Sequence, residues 1–101
     1  MIVYNVTVKV SADIIDSWIE WQKTEHIPEI MATGLFAAYK FFRLLEQDDS
    51  EGPTFVIQYF ASSLEKYQEY INTRAQVTRE HAIQKWGNKF VAFRTVMETV
   101  D

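Results

Sequence analysis

The chain lacks cysteine altogether and has only two prolines and three glycines among its 101 residues. The absence of cysteine excludes disulfides, thiolate zinc sites and cysteine nucleophiles. No apolar run approaches the roughly 20 residues that a membrane-spanning helix needs, so we expect no membrane partner. The first residues show neither a basic segment nor a small-residue cleavage site, which favours a cytoplasmic location.

Positive charge is also scarce. The formal net charge is −4, and the ten basic residues are scattered along the chain. Nucleic acids and anionic membrane surfaces are bound by clusters of Lys and Arg, so the sequence predicts neither as a partner. Phosphate-binding glycine loops, serine-nucleophile elbows and zinc-binding helix motifs are absent as well. Glu25, His26 and Glu29 resemble a metal set, but Pro28 interrupts their helical spacing, so we expect no metal and no cofactor.

Apolar side chains, by contrast, are abundant. They make up 48% of the chain, and aromatic residues alone make up 15%. A chain of this length can bury one hydrophobic core and is too short for two. We therefore expect a single domain over residues 1–101.

The hydrophobic periodicity predicts six elements. Strict alternation indicates a strand at 2–10, apolar runs bounded by turn residues indicate strands at 35–46, 54–61 and 89–100, and the helical period indicates helices from 13 to about 26 and from 62 to 86. Ser11 or Asp13 is predicted to cap the first helix, which should end or kink near His26 before Pro28. Ser62 and Glu65 form a predicted capping box for the second helix, which could bend near Asn72 and end at Gly87.

This order, β-α-β-β-α-β, predicts a ferredoxin-like α+β fold with a four-stranded antiparallel sheet and two helices on one face. The other face would then lie open. The two middle strands carry apolar residues on both sides, and monomers rarely expose apolar patches beyond a few hundred Å². We therefore expect a homodimer formed through the open sheet face.

Several segments resemble an uncharacterised bacterial family of domains of unknown function. The segments that carry the resemblance are Trp18-Ile19-Glu20-Trp21, residues 25–31, Thr33-Gly34-Leu35-Phe36, Gln58-Tyr59 and residues 90–95. The likeness covers nearly the whole chain and implies no particular activity.

More broadly, the chain resembles the dimeric α+β barrel superfamily. That superfamily includes cofactor-free monooxygenases, muconolactone-isomerase-type enzymes and haem-modifying enzymes. The resemblance implies two sheets closing into a barrel, with a ligand pocket between sheet and helices in each chain. Fold-level likeness alone does not establish chemistry.

The strongest candidates for catalysis are His26 and Glu25, near the end of the first helix. A helical wheel places Glu25 close to Trp18, with Gln22 and His26 in the same apolar stripe. A histidine beside a carboxylate could act as a general base. Alternatively, His26 caps the helix C-terminus, where a cation suits the helix dipole, and Glu25 reaches solvent.

Further candidates could line a ligand pocket. They are Trp18, Gln22, Tyr39, Gln58, Tyr59 and Arg94. Aromatic residues could hold an aromatic ligand, whereas Arg94 could hold an anion and Gln58 could orient a carbonyl. The alternative is that the rings pack in the core or at the dimer interface, and that the polar residues pair across strands.

Two functions of different kinds follow. The first is a small dimeric barrel protein that binds a small apolar or aromatic metabolite without catalysis. The second is a cofactor-free monooxygenase-like or isomerase-like enzyme with His26 as general base. A cavity that joins His26 and Glu25 to Gln58, Tyr59 or Arg94 would favour the enzyme. Haem handling would need an open slot beside His26 large enough for a porphyrin.

Overall fold

One antiparallel sheet carries the helices on a single face in this computed structural model, which describes all 101 residues. The strands are β1 (Ile2–Val10), β2 (Ala38–Arg43), β3 (Thr54–Ala61) and β4 (Phe90–Glu98), in the spatial order β2-β3-β1-β4. The helices are α1 (Ile15–Trp21), α2 (Ile27–Met31), α3 (Leu64–Thr73) and α4 (Ala75–Trp86), with a 3-10 turn at Ala12–Ile14 and a π-helical turn at Gln22–His26. Helices separate β1 from β2 and β3 from β4, so the predicted ferredoxin-like fold is confirmed.

Aromatic rings fill the space between the sheet and the helices. Tyr4 on β1 lies at the centre, with its ring 5.6 to 6.1 Å from four others, those of Phe36, Tyr59, Tyr67 and Tyr70. Trp18 on α1 is buried with its ring 5.1 Å from that of Phe55 on β3. Burying one such side chain stabilises the fold by about 1.5–3 kcal/mol, so this cluster fixes the helices against the sheet.

The predicted kink near His26 is a π-helical turn. Pro28 has no N–H to donate to a preceding carbonyl, and the N–H of Ile27 instead reaches back five residues to the carbonyl oxygen of Gln22. A π turn advances less per residue than the 100° or so of an α-helix. Glu25 is therefore exposed, and its predicted position in the apolar stripe is wrong, whereas Gln22 and Ile27 are buried.

The caps of the helices differ from the prediction. Neither Ser11 nor Asp13 makes a capping hydrogen bond. The carboxylate of Asp13 instead accepts a hydrogen bond from Lys89 at 2.7 Å. Ser63, rather than Ser62, caps α3 by accepting a hydrogen bond from the backbone N–H of Lys66. Since Lys66 has no acceptor to return the bond, the predicted capping box is wrong.

The later boundaries are closer to the prediction. The bend placed near Asn72 occurs at Arg74, where the backbone leaves the helical region between α3 and α4. Gly87, with a φ of 58°, ends α4 as expected. None of the helices combines the length and apolar character needed to cross a membrane.

The second strand is shorter than the predicted 35–46 at both ends, because it runs from Ala38 to Arg43. Beyond it the chain turns through a polar loop that returns at Gly52, where φ is 113°. A side chain there would collide with the carbonyl oxygen of Val10. Glycine is thus required for the loop to pack against the end of β1.

The open face of the sheet consists of cross-strand rows. Two rows are mostly apolar, namely Ala38-Phe60-Val3-Met97 and Phe42-Val56-Thr7-Phe93. The row between them is polar, namely Lys40-Gln58-Asn5-Thr95. The prediction of an apolar open face is therefore correct for two rows and wrong for the middle one. Phe93 is 64% exposed and Phe42 is 44% exposed, so the apolar rows lack full cover within one chain.

Candidate functional site

A small cavity lies between the helix-bearing face of the sheet and helices α1 and α4. Its volume is about 40 Å³. Its walls combine apolar side chains with the polar groups of Tyr59 on β3, Thr78 and Arg79 on α4, and Gln22 in the π turn. At roughly 10–15 Å³ for each water, a cavity of this size accommodates about three water molecules.

Five of the eight predicted site residues line this cavity. They are Trp18, Gln22, His26, Tyr59 and Arg94. The alternation along β4 places Arg94 on the helix-bearing face, because it pairs with Val6 of β1. Gln22 and His26 reach the cavity because the π turn directs both toward the sheet.

The other three predicted residues lie elsewhere. Glu25 lines an outer surface depression and does not reach the cavity. Tyr39 pairs with Tyr59 in the sheet but belongs to the edge strand β2, and its side chain is 44% exposed. Gln58 projects from the open face and donates a hydrogen bond to Asn5 at 3.3 Å, which matches the cross-strand pairing weighed as its alternative role.

Polar atoms without partners converge on the cavity. Five buried side-chain atoms in the chain lack a hydrogen bond, and four of them belong to cavity-lining residues. These four are Gln22 Oε1, His26 Nδ1, Tyr59 OH and Arg79 Nε. Each unsatisfied buried group costs about 1–3 kcal/mol, so these groups need hydrogen-bonding partners inside the cavity, which water molecules or a ligand can supply.

His26 is mostly buried at the wall of the cavity, with 12% of its side chain exposed. Its ring stacks on that of Trp21, with centroids 4.4 Å apart. Burial, together with the charges of His81 and Arg94, lowers the pKa of His26 to about 4, so the imidazole is neutral near pH 7. Glu29 is the nearest carboxylate, 3.9 Å from Nδ1, but it is already paired with His81 at 2.7 Å.

A depression of about 450 Å³ opens on the outer side of His26. Its walls include Glu25, Glu29, His81 and Lys85. His26 lines both this depression and the inner cavity. It is the one residue that the linings of the two spaces share.

The sequence reasoning missed the contribution of α4. Arg79 donates a hydrogen bond to Tyr4 OH at 3.0 Å, and Thr78 bonds Tyr70 OH at 2.7 Å. Burial raises the pKa of Tyr70 to about 12. The helical spacing held a usable signal, because Arg79 lies four residues after Ala75, which is buried.

Metal-binding geometry is absent from the chain. No group of three or more His, Asp or Glu side chains lies close enough together to hold an ion. Glu29 bridges two histidines through its carboxylate oxygens. The close contact of this cluster is the one between Glu29 on α2 and His81 on α4, since His26 is neutral and 3.9 Å away.

The chain belongs to the family described as "Domain of unknown function (DUF4286)", whose model matches residues 1–100. Among curated proteins, none matches the chain. The description of this family assigns it no activity. The comparison with solved structures, in turn, informs about the fold alone.

Many solved structures share this fold. SnoaB from Streptomyces nogalater, described as a cofactor-independent oxygenase, is similar with a TM-score of 0.71 and 7% identity over 99% of this chain and 93% of its own. A dimeric ferredoxin-like protein from an uncultured marine organism has a TM-score of 0.69 and 11% identity over 100% and 96%. A variant of MhuD with two manganese protoporphyrin IX molecules bound per active site has a TM-score of 0.66 and 18% identity over 99% and 95%.

Proposed function

We propose that this DUF4286 domain is a homodimeric protein that binds a small aromatic molecule, without catalysis, in the cavity between sheet and helices. The observation that carries the proposal is the convergence of four unpartnered polar atoms on an aromatic-lined cavity. Ligand pockets typically combine apolar walls with a few polar groups that fix orientation. The bound molecule therefore presents a ring to Trp18 and a polar substituent to Gln22 and Tyr59.

The ligand enters past His26. The inner cavity alone, at about 40 Å³, is too small for an aromatic ring, whereas an engineered cavity of about 150 Å³ admits benzene. The outer depression measures about 450 Å³, within the usual range for ligand sites. Swinging His26 off Trp21 joins the two volumes, and the π turn that carries His26 is the kind of local irregularity often found at functional sites.

Dimer formation covers the open face. The rows containing Phe42 and Phe93 expose aromatic side chains that a second copy can cover by packing sheet against sheet. A structural neighbour is described as dimeric. The polar middle row stays hydrogen-bonded internally through Asn5 and Gln58, so the interface leaves these two groups satisfied.

Binding is tested with an isosteric pair of probes, phenol and toluene, followed by backbone-amide NMR. We expect phenol to bind about tenfold more tightly than toluene, because one hydrogen bond and one satisfied buried group are worth about 1.4 kcal/mol. Gln22→Leu should remove this preference. Gln76→Leu, on the exposed side of α4, is the control and should retain it. Absence of shifts around Trp18 with either probe would contradict the proposal.

The enzyme alternative rests on His26, which lines the cavity and whose Nδ1 has no hydrogen-bond partner. A pKa of about 4, however, makes it a weak base. Taking a proton from a phenol with a pKa of about 10 would be uphill by roughly 8 kcal/mol. Oxygen uptake with 1,4-naphthohydroquinone, abolished in His26→Gln, would establish catalysis.

The geometry favours binding of a small molecule. A cavity of this size is too small for a porphyrin, so we predict no haem absorbance band after the protein is mixed with haemin.

A further inference from the structure

We infer that the molecule bound in the space that joins the inner cavity and the outer depression is an anion, specifically a small aromatic carboxylate whose carboxyl group is held by Arg79 and Arg94. This inference rests on the proposed function, because it names the chemical class of the ligand for the same site. It follows from the charges that line the cavity, which are opposite in sign to those of the chain as a whole.

The cavity wall contains two arginines and no aspartate or glutamate. The chain, however, has 14 acidic and 10 basic residues, with a net charge of −4. The acidic side chains of Glu25 and Glu29 line the depression outside His26 and do not line the cavity. The lining of the cavity is therefore positively charged within an acidic protein, through a half-buried Arg79 and an exposed Arg94.

Neither guanidinium is neutralised within the chain. The four ion pairs of the protein involve other cations, and none includes Arg79 or Arg94. Arg79 is held in place by its hydrogen bond to Tyr4, and its Nε is buried without an acceptor. An unpaired buried donor on a charged group is costly, and an anionic acceptor would satisfy it.

Both charges act on the same buried groups. Burial raises the pKa of Tyr70, and the charges of Arg79 and Arg94 both oppose that rise. Both guanidinium charges are therefore felt at Tyr70, which lines the cavity. A planar carboxylate suits this arrangement, since guanidinium groups bind carboxylates through charge-assisted hydrogen bonds. The aromatic walls formed by Trp18 and Tyr59 favour a ring as the remainder of the ligand.

Titration calorimetry with benzoate and its neutral isostere benzamide tests the inference. We expect benzoate to bind wild-type protein at least about tenfold more tightly than benzamide, and its affinity to fall as sodium chloride is added. Arg94→Gln and Arg79→Gln should each weaken benzoate about tenfold and leave benzamide unchanged. Arg74→Gln, which removes an exposed charge between α3 and α4, should alter neither.

The outcomes separate the two claims. Equal affinity for benzoate and benzamide, or benzoate binding that both arginine variants retain, would overturn the anion assignment and leave the binding proposal in place. Failure of phenol, benzamide and benzoate alike would overturn both. Because Arg79→Gln also loses the bond to Tyr4, its melting temperature is measured first. Arg94→Gln on the exposed edge strand decides the question if Arg79→Gln is unfolded.

Discussion

The two faces of the sheet differ in what they leave unsatisfied. One leaves polar atoms without hydrogen-bond partners, and the other leaves apolar side chains exposed. The helix-bearing face has ample apolar cover but leaves polar atoms such as Tyr59 OH and Gln22 Oε1 without partners. On the open face, Asn5 and Gln58 are hydrogen-bonded to each other, yet rings such as that of Phe93 are exposed. Unpartnered buried polar atoms are satisfied by a ligand with hydrogen-bonding groups. Exposed apolar side chains are covered by another protein surface. One sheet therefore supports two different kinds of recognition.

The largest expected effect concerns the open face. Phe93→Lys should weaken the dimer at least about 100-fold, because two-fold symmetry removes two buried rings worth about 1.5–3 kcal/mol each. Sedimentation velocity over a dilution series measures the change. Val77→Lys, at a residue on α4 that is 51% exposed, is the matched control and should stay dimeric. A wild-type protein that is monomeric at micromolar concentration would refute the proposed role of this face.

On the helix-bearing face, His26 should make stability depend on pH. Its pKa is about 4 in the folded protein and about 6.5 when unfolded, so the unfolded chain binds the proton more tightly. The contribution is fully present above pH 6.5 and is lost as the pH falls toward 4, by roughly 3 kcal/mol in total. Urea titrations at several pH values measure it.

The variant His26→Gln sharpens that measurement, because it should flatten the pH dependence between 6.5 and 4. The lowered pKa values of Asp13 and Asp48 lie below 3.8, so these carboxylates act outside this interval. An unchanged slope in His26→Gln would show that the imidazole is not buried in its neutral form.

A smaller effect distinguishes two tyrosines on the same face. Tyr70 OH is bonded to Thr78, so Tyr70→Phe should cost about 1 kcal/mol of unfolding free energy. Tyr59 OH has no partner, so Tyr59→Phe should be neutral or slightly stabilising. Chemical denaturation compares the two. Equal losses would mean that the hydroxyl of Tyr59 is already satisfied in the free protein.

The fold could be predicted from the sequence because the hydrophobic periodicity of an element does not depend on which other elements pack against it. Val6, Val8 and Val10 alternate with polar residues along β1, and this pattern specifies a strand whatever packs on it. The row structure of the open face could not be read in this way. It depends on the register that aligns Gln58 with Asn5, which only the assembled sheet determines.

The site could be predicted in part, again from periodicity. The α-helical wheel correctly grouped Trp18 with Gln22, since both precede or begin the π turn, and it failed at Glu25 within that turn. No residue type in the sequence marks the point where α-helical geometry changes to π-helical geometry. The unpartnered state of Arg79 Nε was also hidden, because it reflects which acceptors the fold brings near.

The most direct test is a high-resolution crystal structure of the protein inspected between Gln22, Tyr59 and Arg79. We predict continuous electron density of an organic molecule, rather than separate water molecules, within hydrogen-bonding distance of Gln22, Tyr59 OH and Arg79 Nε. Side chains that rotate to bond one another, with the cavity closed, would contradict the claim that this face is built to receive a guest.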